Sequence, residues 1–313
     1  MHTATALIVL AAALVGDWAF GEYPPLLHPV VWIGKTIAAA MRLAPQQGRW
    51  RQLFFGAFLA LGIGTLSAGI TFLVLRWAAD FPIVELVAAT FFLKASFALW
   101  ELKRAADRVV KPLQHGDLAQ AREALRSLCS RDPSCLDETA LLAAIIESLA
   151  ENLCDSFVAP LCYWIVFGVP GAMGYRAINT LDAMIGYRGR FEYVGKVPAR
   201  LDDAANWLPA RLTAGLLLLA GGLTGQNVAT AWRILRRDGA KTPSPNGGRP
   251  MAVMAGLLGV ELEKKGVYSL GDPQCLLTPQ KVWQAWLLVS IAAMVMVVLC
   301  GLAASALAGA SGW

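Results

Sequence analysis

Three acidic residues recur at helical spacing near the middle of the chain. Glu147, Glu151 and Asp155 are four residues apart, so a helix would carry all three carboxylates on one face, next to Ser148 and Asn152. Like charges at this spacing repel one another, and acidic residues at a membrane are candidates for function. Carboxylate oxygens suit Mg²⁺, which often binds through one or two carboxylates and the phosphates of a substrate. The stripe predicts a metal site at these three acids, with a hydrated acidic helix face as the alternative.

Two further clusters combine carboxylate, amide and guanidinium groups. In residues 175–188 the polar side chains are three apart and would share a helix face, and in residues 199–212 an aspartate and an asparagine are four apart. Each cluster alone also fits structural salt bridging, but together they supply carboxylates for a metal and guanidinium groups for phosphate. The candidates are Arg176, Asn179, Asp182 and Arg188 in the first cluster, and Arg200, Asp202, Asp203 and Asn206 in the second.

A fourth cluster lies in a segment rich in Pro, Gly, Ser and Asn, residues 238–248, which must be a loop. Backbone N–H groups of Ser244, Asn246, Gly247 and Gly248 could turn toward an anion, and Lys241 and Arg249 add positive charge. The loop is therefore a candidate phosphate-binding segment, with an ordinary polar turn as the alternative.

Histidine and cysteine indicate no metal site of their own. The three histidines are dispersed, and the six cysteines form no CxxC pair and no zinc-like spacing. Only His28 has a plausible role, because Asp17 and Glu22 precede it at the end of the first apolar segment. We include His28 among the candidate binding residues, with a structural histidine in a proline-rich turn as the alternative.

The chain that must position these residues has the composition of a membrane protein. It has 313 residues, of which 57% are hydrophobic and only 16% charged, with a mean hydropathy of +0.52. Soluble domains carry about a quarter charged residues, and an apolar stretch of roughly 20 residues can span a bilayer. We expect an all-α polytopic membrane protein with about four full spans, short broken or re-entrant helices, and amphipathic cytoplasmic helices. The expected spans are residues 3–20, 53–75, 83–100 and 286–307.

The distribution of basic residues predicts the orientation. Loop 21–52 and segment 101–150 are basic, which places both in the cytoplasm and the N-terminus outside. Segments 157–175 and 212–225 are short or broken by Gly and Pro, so we expect them to be re-entrant or interfacial. The alternative is that they span, paired with another helix such as 141–153. The net charge of +5 is explained by these loops, so no nucleic-acid partner is expected.

We expect a single membrane-embedded domain, residues 1–313. Within it, residues 1–100 would hold the first three spans and residues 101–150 amphipathic cytoplasmic helices, the second beginning near 136 with Asp137 as its N-cap. Residues 151–283 would hold broken helices and the active-site loops, and residues 284–313 the final span.

Five segments, in this order, resemble the CobD/CbiB family of cobalamin-biosynthesis membrane proteins, the adenosylcobinamide-phosphate synthases. They run from about residue 16 to residue 260. Their sequences are GDWAFGEYPPLLHPVVWIG, ESLAENLCDSFVAP, GYRAINTLDAMIGYR, RLDDAANWLPARLTA and DGAKTPSPNGGRPMAVMAGLLGV.

The resemblance implies an ATP- and Mg²⁺-dependent reaction. A propionate carboxylate of adenosylcobyric acid would be joined to the amine of (R)-1-aminopropan-2-ol phosphate, or of the free amino alcohol, to give adenosylcobinamide phosphate. It also implies a bacterial inner (cytoplasmic) membrane protein whose active site faces the cytoplasm. The implied partners are the corrinoid, the amino alcohol phosphate, the lipid bilayer and other cobalamin-assembly membrane enzymes.

Under this interpretation the candidate residues take roles. Glu147, Glu151, Asp182 and Asp202 would be catalytic, and Glu147, Glu151 and Asp155 would hold Mg²⁺. The expected substrate and phosphate ligands are His28, Asn152, Arg176, Asn179, Arg188, Arg200, Asp203, Asn206, Lys241, Ser244 and Asn246. Two other functions stay open, a regulatory sensor like the β-lactamase-induction relatives of the same superfamily, and a transporter, since broken helices can mark binding sites.

Overall fold

The computed structural model describes residues 3–126, 128, 132–187, 189 and 191–310, and Arg188 of the second cluster lies outside this part of the chain. The described residues are mostly helical, as expected, and they also form one small hairpin that the sequence analysis did not predict. The helices are α1 Thr3–Phe20, α2 Pro29–Met41, α3 Arg49–Ala78, α4 Pro82–Ser96, α5 Leu99–Gln114, α6 Leu118–Leu125, α7 Glu138–Leu153, a π-helix π1 Cys154–Val158, α8 Ala159–Ile185, α9 Lys196–Ala205, α10 Trp207–Leu223, α11 Val228–Asp238, α12 Gly248–Leu258 and α13 Pro279–Ala310. The hairpin pairs β1 Glu261–Lys264 with β2 Tyr268–Gly271 in antiparallel register.

Four helical runs within the described residues are long and apolar enough to cross a membrane. They are Arg49–Ala78, Pro82–Gln114, Glu138–Ile185 and Pro279–Ala306. An all-α, multi-pass membrane protein is thereby confirmed.

The set of spanning helices differs from the expected one in two places. The first apolar helix, predicted as a full span, is among the shorter apolar helices, and 157–175 belongs to the long run Glu138–Ile185. A break is present inside it, because Gly168 is non-helical (φ 67, ψ −168) and Pro170 follows. Gly168 can take this positive φ because it lacks a Cβ. Helix α8 resumes after the break and ends at Ile185. Whether residues 157–175 span the membrane or are re-entrant stays a prediction. Segment 212–225 lies in α10, which at 17 residues is short for a span.

The chain divides into two compact units. Unit 1 comprises residues 1–98, 159–206 and 299–313, and unit 2 comprises residues 99–158 and 207–298. The single membrane-embedded domain stays a prediction.

Unit 1 is built on the packing of α3 against α8. Small residues allow the close approach, since a Cβ at Gly64 would lie 3.2 Å from the Ile178 side chain and one at Gly174 would lie 3.3 Å from Ala68 Cβ. A buried apolar core next to this contact includes residues from α2, α3, α8 and Val194. This packing fixes α8 and the neighbouring α9, which carry the second and third polar clusters.

Unit 2 is built around α7. Asp137 caps this helix by accepting a hydrogen bond from the Ala140 N–H at 2.8 Å, which confirms the predicted N-cap. Residues 141–150 are all buried, so α7 is a core helix, whereas the sequence predicts an amphipathic one. Helices α5, α6 and α12 and strand β1 pack around it. The acidic stripe therefore begins inside the core of this unit.

Candidate functional site

The second and third polar clusters meet in unit 1 at Asp202 on α9. Its carboxylate accepts hydrogen bonds from Asn179 Nδ2 at 3.2 Å and from Asn206 Nδ2 at 3.0 Å. Asp202 is 8% exposed and Asn206 only 2%. We call Asp202, Asn179 and Asn206 the Asp202 amide cluster. The i, i+4 spacing predicted the proximity of Asp202 and Asn206, and the fold adds Asn179 from α8.

Neutral amides are weak stabilisers of a buried charge. Burial raises the pKa of the Asp202 carboxyl above its ordinary value, and the hydrogen bonds from Asn179 and Asn206 only partly oppose this increase. A carboxylate with a raised pKa accepts a proton more readily than an ordinary one. The cluster is therefore suited to taking a proton from a reacting group.

Aromatic residues of α8 hold the amide cluster in place. The Tyr175 hydroxyl donates to Asn206 Oδ1 at 2.8 Å, and the Tyr175 ring stacks on Tyr163 with ring centroids 4.9 Å apart. Tyr163 in turn donates to the Ala205 carbonyl at 3.2 Å. The stack joins α8 to the end of α9 and fixes the orientation of the Asn206 amide.

Arg176 connects this cluster electrostatically to the N-terminal segment. Its Nη1 donates to Asn179 Oδ1 at 3.3 Å, and its charge lowers the pKa values of both Asp202 and Glu22. The predicted role of Arg176 in phosphate binding stays a prediction.

His28 is engaged by the protein through both ring nitrogens. Nδ1 accepts the Val30 N–H at 3.2 Å as the N-cap of α2, and Nε2 lies 2.5 Å from Glu22 Oε2. Because Nδ1 accepts, the proton must be on Nε2, which donates to Glu22. This geometry supports the structural alternative for His28 that the sequence left open.

A lysine that sequence reasoning missed neutralises the acids beside His28. Lys94 of α4 is 2% exposed, and its Nζ lies 3.4 Å from Glu22 Oε2 and 3.7 Å from Asp17 Oδ1. Burial alone would raise the pKa of Glu22, but the His28 hydrogen bond and the Lys94 charge hold it below its ordinary value. The available signal was a lysine inside a predicted span, where ionisable residues need a partner.

The remaining unit 1 candidates lie at the ends of α8 and α9. Asp182 is half-buried near the end of α8, and its backbone carbonyl accepts the Gly186 N–H at 2.7 Å. Arg200 is largely exposed and lies 4.0 Å from Asp203. An exposed pair at that distance contributes little to stability, which leaves Arg200 available for a ligand.

Unit 2 contains the acidic stripe and the fourth cluster, and it brings them together. A Cβ at Gly247 would lie 2.7 Å from Glu151 Oε1, so the loop reaches the carboxylate only because residue 247 is glycine. Glu147 is 3% exposed, whereas Glu151 and Asp155 are partly exposed. Asp155 lies in π1. The wider i→i+5 turn of a π-helix rotates residue 155 around the helix axis relative to Glu151, compared with an α-helix. The accessible acid next to the loop is therefore Glu151.

Asn152 lies on a neighbouring strip of the same helix. Its Nδ2 donates to the carbonyl and to the hydroxyl of Ser148, both at 3.0 Å, and its Oδ1 accepts from the Ser156 hydroxyl at 3.4 Å. These hydrogen bonds join Ser148 and Asn152 of α7 to Ser156 of π1, so part of the hydrogen-bonding capacity of Asn152 is used within the helix. Its predicted binding role is not tested by this arrangement.

Asp238 anchors the start of the fourth cluster. Its buried carboxylate binds Lys241 Nζ at 2.6 Å, Arg237 Nη2 at 2.7 Å and the Gly271 N–H at 2.9 Å. Arg237 also binds Asp272 at 2.7 Å. Burial opposes ionisation of Asp238, but these donors hold its pKa well below the ordinary range. We call Asp238, Arg237, Lys241 and Asp272 the Asp238 ion-pair cluster.

The loop after Lys241 is shaped by its own hydrogen bonds. Ser244 accepts the Asn246 N–H on its hydroxyl at 3.2 Å and the Thr242 hydroxyl on its carbonyl at 2.7 Å. Asn246 is 4% exposed. Lys241, which the sequence predicts to bind phosphate, is already neutralised by Asp238. Its predicted role and those of Ser244 and Asn246 stay predictions.

A fully protein-bound metal site is not found. No group of three or more His, Cys, Asp or Glu side chains that could hold a metal ion occurs in the part of the chain that the structure describes. Mg²⁺ commonly uses one or two carboxylates and completes its shell with water and substrate phosphates. Glu151, with or without Glu147 or Asp155, fits that mode, so Mg²⁺ binding at the stripe stays a prediction.

Comparison with known proteins identifies the family of the chain. Residues 10–286 match the family described as CobD/Cbib protein. The cobalamin biosynthesis protein CobD of Dehalococcoides mccartyi (strain CBDB1) is 43% identical over 277 residues, which cover 88% of this chain and 90% of that protein. The probable cobalamin biosynthesis protein CobD of Thermococcus kodakarensis is 42% identical over 264 residues, which cover 84% of each chain. The probable cobalamin biosynthesis protein CobD of Methanococcus aeolicus is 36% identical over 276 residues, which cover 86% of this chain and 89% of that protein. None of the solved structures matches the chain. The match over most of its length shows that this chain belongs to the CobD/Cbib family.

Proposed function

We propose that this chain is the adenosylcobinamide-phosphate synthase of cobalamin biosynthesis. The observation that carries the proposal is the family match over residues 10–286, together with 43% identity to a protein named cobalamin biosynthesis protein CobD. The enzyme joins a propionate carboxylate of adenosylcobyric acid to the amine of aminopropanol phosphate, or of the free amino alcohol. It is a multi-pass membrane protein, and we place it in the bacterial inner membrane with its active site facing the cytoplasm.

Amide formation needs an activated carboxylate and a proton acceptor. In the proposed reaction the γ-phosphoryl group of ATP passes to the carboxylate oxygen and ADP leaves. The amine nitrogen then bonds to the acyl carbon, the carbon–oxygen bond to phosphate breaks, and phosphate departs with its electron pair. The proton lost by the amine goes to a base.

Asp202 is our candidate for that base. Burial raises its pKa, so its carboxylate holds a proton better than an exposed aspartate would. Asn179 and Asn206 fix the positions of the two carboxylate oxygens. Asp182, which is partly exposed at the end of α8, is the second candidate.

Glu151 is our candidate for the metal-binding carboxylate, with Glu147 and Asp155 as further members. It is partly exposed and adjoins Gly247 at the start of α12. When bound, Mg²⁺ would neutralise negative charge on the transferred phosphate. Arg176 and Arg200 in unit 1, and Lys241, Ser244 and Asn246 in unit 2, are candidates for holding substrate phosphates or the corrinoid carboxylate. Other membrane enzymes of cobalamin assembly are proposed partners.

Replacement of Glu151 by Gln tests the proposal. Purified protein in detergent is incubated with adenosylcobyric acid, either amino alcohol form, and ATP with or without Mg²⁺, and the amide product is measured by chromatography. We expect E151Q to abolish amide formation while membrane insertion is unchanged, because an amide is a poor Mg²⁺ ligand.

The matched control is Glu123→Gln, since Glu123 is an exposed glutamate of α6 in the same unit. It should leave the rate unchanged. Full activity of E151Q would overturn the metal assignment, and absence of amide product from the wild-type protein would overturn the proposed function itself.

A further inference from the structure

The cations around the fourth cluster are mostly already neutralised. Lys241 and Arg237 bind Asp238, and Arg237 and Arg233 bind Asp272 at 2.7 and 3.2 Å. A cation that holds a buried carboxylate can bind a substrate anion only by giving up that partner. Arg233, Arg237 and Lys241 share the two carboxylates, so each of them has a partner to give up before it binds a substrate anion.

Arg211 and Arg249 have no such carboxylate partner. Neither guanidinium lies within 4.0 Å of a carboxylate among the residues that the structure describes, and Arg249 Nε is buried there without a hydrogen-bond partner. Both side chains are partly buried. A buried guanidinium donor without an acceptor is costly, so this atom is one that a ligand would satisfy.

The two arginines lie on helices that pack against each other, Arg211 in the second turn of α10 and Arg249 in the first turn of α12. Burial and the charge of Arg249 both lower the pKa of Arg211. Arg211 is fixed in place, because its guanidinium stacks on the Trp207 ring at 3.9 Å from the ring centroid and donates to the Trp207 carbonyl at 2.5 Å. Two like charges held in one place raise the energy of the protein unless an anion joins them.

The position of Arg249 adds to this field. It is the second residue of α12, an 11-residue helix whose N-terminal end carries partial positive charge. The preceding Gly247 touches Glu151, so the same helix start adjoins the proposed metal-binding carboxylate. Guanidinium groups match the geometry of phosphate oxygens, and the start of a helix favours an anion.

We propose that Arg211 and Arg249, at the start of α12, form a binding subsite for the phosphoryl group of a substrate. The identity of that substrate rests on the proposed function, and the phosphate could belong to the nucleotide or to the amino alcohol phosphate.

The test is binding by the full chain in detergent, with Arg211→Gln and Arg249→Gln. ATP, aminopropanol phosphate and the free aminopropanol are titrated by calorimetry. We expect each variant to lose about tenfold to a hundredfold in affinity for one of the two phosphate compounds, because each loses a charge-assisted contact. Binding of the free amino alcohol should not change. Loss for ATP assigns the site to the nucleotide, and loss for aminopropanol phosphate assigns it to the amino alcohol.

Arg236→Gln is the matched control, since Arg236 is an exposed arginine of α11 in the same unit. It should bind both compounds as the wild type does. Arg249→Lys guards against misfolding of the glutamine variant, because it keeps the charge and should lose less affinity. Affinities of R211Q and R249Q within about twofold of the wild type for both phosphate compounds would overturn the subsite.

The two proposals fail in different ways. A wild-type protein that makes no amide, but whose phosphate binding is lost in R211Q and R249Q, would keep the subsite and overturn the proposed function. Variants that make the amide with unchanged KM for ATP and for aminopropanol phosphate would overturn the subsite and keep the function.

Discussion

Two buried aspartates in this protein have opposite surroundings. Asp202 in unit 1 is contacted by the neutral amides of Asn179 and Asn206, whereas Asp238 in unit 2 is contacted by Arg237 and Lys241. Their pKa values move in opposite directions, up for Asp202 and down for Asp238. Both side chains are buried, so the difference comes from the charge of the donors.

This difference separates a reactive carboxylate from a structural one. Asp238 joins the end of α11 to strand β2 through the Gly271 N–H, and it fixes the start of the loop that leads to α12. A carboxylate saturated by cations is a poor base. Asp202 is oriented but not neutralised, which suits proton transfer.

The largest predicted effect on stability is that of Asp238→Ala. It removes hydrogen bonds from the partly exposed Arg237 and Lys241 and from the buried Gly271 N–H, and a hydrogen bond to a charged group contributes about 1.5–3 kcal/mol. Unfolding of the detergent-solubilised protein, followed by circular dichroism against temperature, measures the loss.

Asp272→Ala is the control for this prediction. It also removes a carboxylate from Arg237, but Asp272 is 28% exposed, so we expect a loss of only about 1 kcal/mol or less. Equal losses for D238A and D272A would contradict the structural role assigned to Asp238.

Asp202→Asn should change activity more than stability. The new amide group places a donor against Asn179 or Asn206, which costs about 1–3 kcal/mol, less than D238A. Loss of the base should lower kcat by about 10²–10⁴-fold. Asp80→Asn, at an exposed aspartate of unit 1, is the control. A D202N enzyme with wild-type kcat would transfer the proposed role to Asp182.

The sequence anticipated the local features of this contrast and missed the distant ones. The i, i+4 spacing predicted that Asp202 and Asn206 share a face, and Asp137 was predicted as an N-cap. These are properties of one helix, so spacing and residue type determine them. The partners Asn179 and Gly271 lie 23 and 33 residues away from their aspartates, and only the packing of α8 on α9 and of the hairpin on α11 brings them close.

The same limit applies to the fold. Hydropathy predicted the spans in α3, α4 and α13, because membrane crossing depends on a continuous apolar run. It did not predict that residues 141–150 of α7 are all buried, since the carboxylates at 147 and 151 suggested a solvated face. Nor did it predict π1, whose i→i+5 bonds depend on tertiary packing.

The pH dependence of stability should have opposite signs at the two aspartates. In the unfolded chain an aspartate carboxyl titrates at about pH 3.9. Asp238 has a lower folded pKa, so its stabilisation is present above that value and is lost as pH falls through the folded pKa. Asp202 has a higher folded pKa, so the folded protein loses stability as pH rises from about 3.9 through that pKa.

Comparison of wild type, D238N and D202N across pH measures both signs. The advantage of wild type over D238N should be larger near neutral pH than in acid, and its advantage over D202N should be larger in acid. A tenfold difference in the proton affinity of one carboxyl between the folded and the unfolded chain changes stability by about 1.4 kcal/mol. Parallel curves for the two comparisons would remove the distinction between the aspartates.

The smallest predicted effect tests whether Tyr175 maintains the Asp202 amide cluster. Tyr175→Phe keeps the ring stack on Tyr163 but removes the hydroxyl that donates to Asn206, which should cost about 0.5–1.5 kcal/mol. The Asn206 amide can then turn away from Asp202, and loss of that donor should raise the pKa of Asp202 further. The acidic limb of the pH–rate profile should therefore move to higher pH. Tyr163→Phe loses a hydroxyl that donates to the Ala205 carbonyl instead, so it should cost similar stability and leave the limb in place. A limb that moves equally in both variants would show that the Tyr175 hydroxyl has no specific role in orienting Asp202.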